Sequence, residues 1–232
     1  MSLKNSKYAT YNVAMELLKT VDVETGTNVN AAVIWLHGLG SNGHDFEPII
    51  PQLKLPGEKS ARFILPHAPS IPITINGGMV MPAWFDILKH GERHIDAGQL
   101  LSSAAAIHKL IDREIDRGIA SDQIILVGFS QGGAVCLQAG LTYDKPLSGI
   151  LGLSTFFPSA EAITPHPSNG SLPIQIFHGT LDTMLPEWMA ENTVKYLKKL
   201  GYHPHYKTYP MSHRVCPEEI EDISQWLQDR LL

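Results

Sequence analysis

Ile124-Ile125-Leu126-Val127-Gly128-Phe129-Ser130-Gln131-Gly132-Gly133-Ala134-Val135-Cys136-Leu137-Gln138-Ala139-Gly140 is the stretch that decides how this chain folds. Its first four residues are an unbroken apolar run, the pattern of a strand buried on both faces. Gly128-Phe129-Ser130-Gln131-Gly132 follows at once, and Ala134, Val135, Leu137 and Gln138 resume with helical character. A strand, Gly-x-Ser-x-Gly and a helix, in that order, make a nucleophile elbow. Small residues are needed two positions either side of the serine because the turn is too tight for side chains there. Ser130 is therefore expected to project from the sheet edge, with the positive end of the following helix beneath it. The plain alternative is a glycine-rich turn with no reactivity, and partners elsewhere in the chain must decide between the two.

Outward from the elbow, strand-like and helix-like segments alternate. Strands are expected at 31–36, 62–65, 150–153, 174–177 and 205–209, with a first strand at 13–18 and a polar turn region at 21–30. Helices are expected at 45–53, 96–117, 187–200 and 217–231. In the second of these Leu100, Ala104, Ile107, Leu110, Ile111 and Ile115 recur at helical spacing and Gly118 stops the run. Residues 70–86 are rich in Pro, Gly and Met without a clear period, and read as a functional loop or lid. This order predicts a three-layer α/β/α sandwich around a mostly parallel sheet. With no linker-like tract, residues 1–232 are read as one domain.

The composition, 44% hydrophobic and 18% charged, is that of a globular protein. A net charge of -5 without a basic cluster argues against nucleic acid and anionic membrane surfaces as partners. Cys136 and Cys216 lack metal-ligand spacing, so a reducing compartment is expected, with no metal site. Cys216 is read as a packed neighbour of a helix cap. The first residues form no apolar run suited to a signal or a membrane span, which predicts a cytoplasmic protein without stable membrane insertion.

A serine hydroxyl becomes a useful nucleophile only when a base takes its proton, and that base needs a third group to fix its tautomer. After an elbow serine the chain order is Asp or Glu, then His. Asp182 lies just beyond the strand at 174–177, on a loop where such an acid belongs, whereas Asp144 reads as a solvated helix-end residue. His203 and His205 fall at the start of a strand, the wrong end of the sheet. His213 lies past the end of that strand and is the expected base. An oxyanion needs preorganised donors, and the Gln131 and Leu39 amides are assigned to that role. Leu39 sits in His37-Gly38-Leu39-Gly40, a glycine loop that also fits a dinucleotide fingerprint. That fingerprint wants an acid at the end of the next strand, where this chain has Pro66-His67-Ala68-Pro69.

With these residues in place, the chain resembles the acyl-protein thioesterase and carboxylesterase family, grouped with lysophospholipases, within the α/β-hydrolases. The segments that carry the resemblance include VIWLHGLGSNGHDF, IILVGFSQGGA, LSTFFP and MSHRVCPEEI. They imply an α/β-hydrolase fold, a Ser130–His213–Asp182 triad, the Leu39 and Gln131 oxyanion donors, and no metal or organic cofactor. They also imply an acyl site lined from residues 71–84 and the Phe156 region. Ile73, Met81, Trp84 and Phe156 are the lining residues expected, with Ile71, Met79 and Phe157 beside them. Ser41 and Arg214 depart from the family pattern, where an acidic residue and a serine are common. The implied reaction is hydrolysis of a carboxylic ester or thioester through an acyl-Ser130 intermediate. A small acyl ester, a lysophospholipid or an acylated protein would be the substrate of a monomer or homodimer. A dedicated depalmitoylase or lysophospholipase is the alternative within the class, and a silent lipid- or partner-binding homologue is the alternative outside it.

Overall fold

A computed structural model describes residues 16–57, 60–89 and 94–231. Nine strands and four α-helices lie within those residues: β1 (Thr20–Glu24), β2 (Ala31–Leu36), β3 (Ala61–Pro66), β4 (Ser70–Ile73), β5 (Met79–Pro82), α1 (Ala97–Asp116), β6 (Ile124–Phe129), α2 (Gln131–Thr142), β7 (Gly149–Leu153), β8 (Ile174–Gly179), α3 (Glu187–Lys199), β9 (His205–Tyr209) and α4 (Pro217–Gln228). Seven strands form one sheet in the order β1-β3-β2-β6-β7-β8-β9. Only the β1–β3 pair is antiparallel.

The apolar runs become central strands because successive side chains point to opposite faces, and both faces are covered. Ile34, Leu36, Leu126 and Ile150 point into a core shared with α1, α2 and α3. Val33, Trp35, Val127 and Leu151 point into a second core, closed by α4 and by the 3-10 helix Glu47–Leu53. These two cores are the outer interfaces of the expected α/β/α sandwich. The helix expected at 45–53 is that 3-10 helix, with Pro51 inside it.

Two expectations are corrected. The edge strand is β1, which begins at Thr20 and runs into the segment 21–30 read as a polar turn, and it pairs with β3 from Thr20↔Pro66 to Glu24↔Arg62. Of the strand expected at 13–18, residues 13–15 lie outside the described residues and 16–18 are not in a strand. The segment read as an aperiodic loop is largely a hairpin, β4 against β5, turned through Gly77 and Gly78 at φ +66° and +80°. Among the described residues no helix is long and apolar enough to cross a membrane.

Candidate active site

β6 delivers its last residue, Phe129, to the carboxyl rim of the sheet, and the chain reverses into α2 at Ser130. Ser130 has φ +54° and ψ -120°, in the left-handed half of backbone space that non-glycine residues rarely occupy. The surroundings hold it there. Its N–H donates to Leu153 O at 2.9 Å. Its carbonyl accepts from Thr155 Oγ1 at 2.7 Å. The flanking glycines are required by contact: a Cβ on Gly128 would strike the Gly132 backbone, and one on Gly132 would lie 2.5 Å from Leu36 O.

The two partners follow β8 and β9, two and three strands along the same rim. Ser130 Oγ is 3.1 Å from His213 Nε2, and His213 Nδ1 is 2.6 Å from Asp182 Oδ2. Because Asp182 accepts, Nδ1 carries the proton and Nε2 is left as the acceptor for the serine hydroxyl. The other carboxylate oxygen, Oδ1, accepts from the Met184 and Leu185 amides, both at 2.9 Å. Burial acts to raise the Asp182 pKa, but the His213 hydrogen bond and the Leu185 amide outweigh it and hold the carboxyl below its ordinary value. The group is thus kept as a carboxylate, as an orienting acid must be.

His178, at the end of β8, was not singled out from sequence. It is fully buried, donates from Nε2 to Leu185 O at 2.8 Å and lies 3.7 Å from Asp182 Oδ2. Burial lowers its pKa, so it stays neutral. Its place directly before the Gly179–Asp182 turn was the available signal. Thr155, the residue that holds the elbow carbonyl, carried no such signal.

The Leu39 amide has no hydrogen-bond partner among the described residues, and the Gln131 amide is the first of its helix, where no intrahelical acceptor exists. Leu39 and Gln131 both line a cavity of about 740 Å³ that Ser130 and His213 also line. Its apolar wall is made by Ile75, Ile87, Ile95, Phe156, Leu185 and Met189, and its polar side includes Ser41, Asn42 and Asp45. Of the four side chains expected to line an acyl site, Phe156 faces this space and three do not. Ile73 and Trp84 are core residues, and Met81 packs over Gly40 outside the cavity. The physical reason is the hairpin: the alternation of β4 buries Ile73 completely, while the 3-10 helix that follows, Thr74–Asn76, carries Ile75 to the wall. Of the neighbouring residues, Phe157 is fully buried, Met79 is exposed and Ile71 borders a separate cleft of about 240 Å³. Among the described residues no group of three His, Cys, Asp or Glu side chains is arranged to hold a metal ion.

A serine on a strained strand-to-helix turn, hydrogen-bonded to a histidine and through it to an aspartate at the carboxyl rim of a mostly parallel sheet, defines a serine hydrolase of the α/β-hydrolase class. The chain belongs to the phospholipase/carboxylesterase family, whose model matches residues 19–231. It is 40% identical over 213 residues to acyl-protein thioesterase 1 of Gibberella zeae, covering 87% of this chain and 91% of that one. Against acyl-protein thioesterase 1 of Cryptococcus neoformans var. neoformans it is 36% identical over 235 residues, with 92% and 98% covered. Among solved structures, Arabidopsis thaliana SOBER1 superposes with a TM-score of 0.82 at 34% identity, covering 87% of this chain and 99% of that one. Zea mays acyl-protein thioesterase 2 superposes with a TM-score of 0.79 at 27% identity, covering 93% and 100%.

Proposed function

We propose that this protein hydrolyses carboxylic esters and thioesters through an acyl-Ser130 intermediate, with acylated protein as its substrate class. The observation that carries the reading is the continuous line Ser130 Oγ–His213 Nε2, His213 Nδ1–Asp182 Oδ2, at 3.1 and 2.6 Å, on the floor of a cavity with one apolar wall. His213 takes the hydroxyl proton as Ser130 attacks the acyl carbonyl, and the charge that develops on the carbonyl oxygen is met by the Leu39 and Gln131 amides. The imidazolium returns its proton to the departing alcohol or thiol. Water, deprotonated by the same imidazole, then releases the acid and restores the serine. Asp182 keeps the imidazole in the right tautomer and stabilises its charge.

Ile75, Ile87, Ile95, Phe156, Leu185 and Met189 would take up the acyl chain, and the relatives named acyl-protein thioesterases support a protein thioester as the physiological bond. The test is direct. Ser130→Ala should lower turnover of p-nitrophenyl butyrate by a factor on the order of a million, and abolish labelling by a fluorophosphonate probe. Near-native hydrolysis by that variant would refute the assignment. Rates on C4 and C16 acyl esters, and on matched thioesters, would separate a dedicated depalmitoylase from a broad carboxylesterase.

A further inference from the structure

The two amides assigned to the oxyanion belong to different parts of the chain. Leu39 follows β2 and Gln131 opens α2, and the β2–β6 pairing, which ends at Leu36↔Gly128, brings the two turns side by side without a hydrogen bond between the donors themselves. A third segment touches both. Residues 82–85, starting at the last residue of β5, run between the loop at 37–40 and the elbow, and they hydrogen-bond to each. On the loop side the Trp84 indole N–H donates to His37 O at 2.8 Å, and the Gly40 amide donates to Pro82 O at 2.8 Å. Facing the elbow, the Gln131 side chain spans two residues: its Oε1 accepts from the Trp84 amide at 3.0 Å and its Nε2 donates to Phe85 O at 2.7 Å. Ser103 Oγ holds Trp84 O at 2.5 Å from α1.

The centre of this lattice is buried: Trp84, Gln131 and His37 are each 1% exposed, and only the Gly40–Pro82 bond lies toward solvent. Water cannot substitute for a broken bond there, so the lattice is either complete or costly. The His37 imidazole closes the loop side. It donates from Nδ1 to Gly38 O at 2.7 Å and accepts at Nε2 from the Ala68 amide at 3.1 Å, which fixes it as the neutral Nδ1–H tautomer. Gly132 lets the two sides meet, since a Cβ there would lie 2.6 Å from His37 O, the oxygen the indole holds.

We infer that Trp84 and the side chain of Gln131 are positioning residues that set the separation and aim of the two oxyanion donors, and that Trp84 is not part of the acyl wall. This inference rests on the acyl-transfer reading above. Their effect should be confined to the tetrahedral state, where the donors must meet an anion. Ground-state binding and chain-length preference are set elsewhere, by the cavity wall. Losing one oxyanion donor costs about 10²–10³ in turnover, so misaiming a pair by a fraction of an ångström should cost about 10–100-fold.

The experiment compares Trp84→Phe, which keeps a ring but removes the indole N–H, with Gln131→Met, which keeps length but removes both polar ends. Ser103→Ala trims only the hydroxyl that holds the Trp84 carbonyl and tests the same lattice with core packing intact. Each is measured for kcat and KM on p-nitrophenyl butyrate, for the C4 to C16 rate ratio, and for the Ki of an alkyl trifluoromethyl ketone that forms a tetrahedral adduct with a serine. The expected result is a kcat lower by about 10–100-fold for the first two variants and by a few fold for Ser103→Ala, with Ki weakening in proportion. KM and the C4 to C16 ratio should stay within about threefold of the parent. If kcat and Ki hold steady in Ser103→Ala and in whichever of the other two melts normally, while Ser130→Ala is inactive, the positioning role is overturned and the triad stands. A shift of the C4 to C16 ratio with kcat unmoved overturns it too, by returning Trp84 to the acyl wall. Full activity in Ser130→Ala removes the reading on which the inference depends.

Discussion

Asp182→Asn is the substitution for which the geometry makes the sharpest demand. The carboxylate oxygen Oδ1 accepts from two backbone amides, those of Met184 and Leu185, each at 2.9 Å. An asparagine cannot turn its NH₂ group toward two donors, so its carbonyl oxygen must take that place. The NH₂ then occupies the Oδ2 position, 2.6 Å from His213 Nδ1, and donates to it. That forces the imidazole proton onto Nε2, which faces Ser130 Oγ at 3.1 Å and can no longer accept from it. His178 Nε2–H, 3.7 Å from Oδ2, adds a second donor facing the new NH₂ group. The base is present, correctly placed and in the wrong tautomer. In other Ser–His–Asp enzymes this change lowers kcat by about 10⁴, or about 5 kcal/mol of barrier, and the same is expected here. Asp182→Ala leaves the imidazole free to choose its tautomer, so the asparagine variant should be at least as slow as the alanine one. The assay is steady-state hydrolysis of p-nitrophenyl butyrate, with circular dichroism and melting temperature to confirm the fold. A folded Asp182→Asn enzyme within tenfold of the parent, or clearly faster than Asp182→Ala, would refute the tautomer argument.

Two other expectations follow from contact and burial. Gly132→Ala places a Cβ 2.5 Å from Leu36 O and 2.6 Å from His37 O, both backbone atoms with no room to retreat; turnover should fall at least 100-fold and the melting temperature should drop, by calorimetry and the same ester assay. Glu219, fully buried in the first turn of α4, has its pKa pushed up to about 8 by burial, with the nearby Asp222 adding to the rise and the Cys216 backbone amide only partly opposing it. Since the folded state holds this proton more tightly than the unfolded one, the stabilisation is complete below the ordinary carboxylate range and is lost as pH rises through about 8. Glu219→Gln should therefore be more stable than the parent by a few kcal/mol at pH 9, with the difference shrinking toward pH 5. Equal melting-temperature differences at both pH values would contradict this.

What the sequence disclosed and what it hid divide along one physical line. Central strands such as Ala31–Leu36 and Ile124–Phe129 are buried on both faces, so an unbroken apolar run is their unavoidable signature. The hydrogen-bonded line from Ser130 through His213 to Asp182 was equally legible, because an elbow serine calls for partners on loops at one rim and in one order, and Asp182 and His213 meet both conditions. β1 is an edge strand, half exposed, and its Thr-Val-Asp-Val-Glu alternation over five residues was too short to outweigh its polar surroundings. In the hairpin, Pro72 and Pro82 interrupt the apolar pattern, and the Asn76-Gly77-Gly78 turn was its one clear marker.

The cavity wall was the least legible part, and the reason bears on how such sites diverge. Ile75 comes from a short 3-10 helix, Ile87 from an isolated bridge to Ile95, Leu185 from a loop and Met189 from the first turn of α3, so no periodicity links them. Composition cannot separate a wall residue from a strut either, since both positions call for a large apolar side chain. Trp84 differs from Phe156 in what its N–H touches, and that partner, His37 O, is 47 positions away. The machinery is held by strand ends and buried polar bonds that tolerate little change, while the wall is drawn from loops that accept substitution without disturbing the sheet. Acyl preference is therefore free to drift through Ile75, Ile87, Leu185 and Met189 while the Ser130, His213 and Asp182 geometry stays fixed. An Ile75→Ala or Met189→Ala variant should move the C4 to C16 rate ratio and leave fluorophosphonate labelling of Ser130 close to the parent rate. Loss of labelling in step with the ratio would mean that wall and machinery are not separable in this fold.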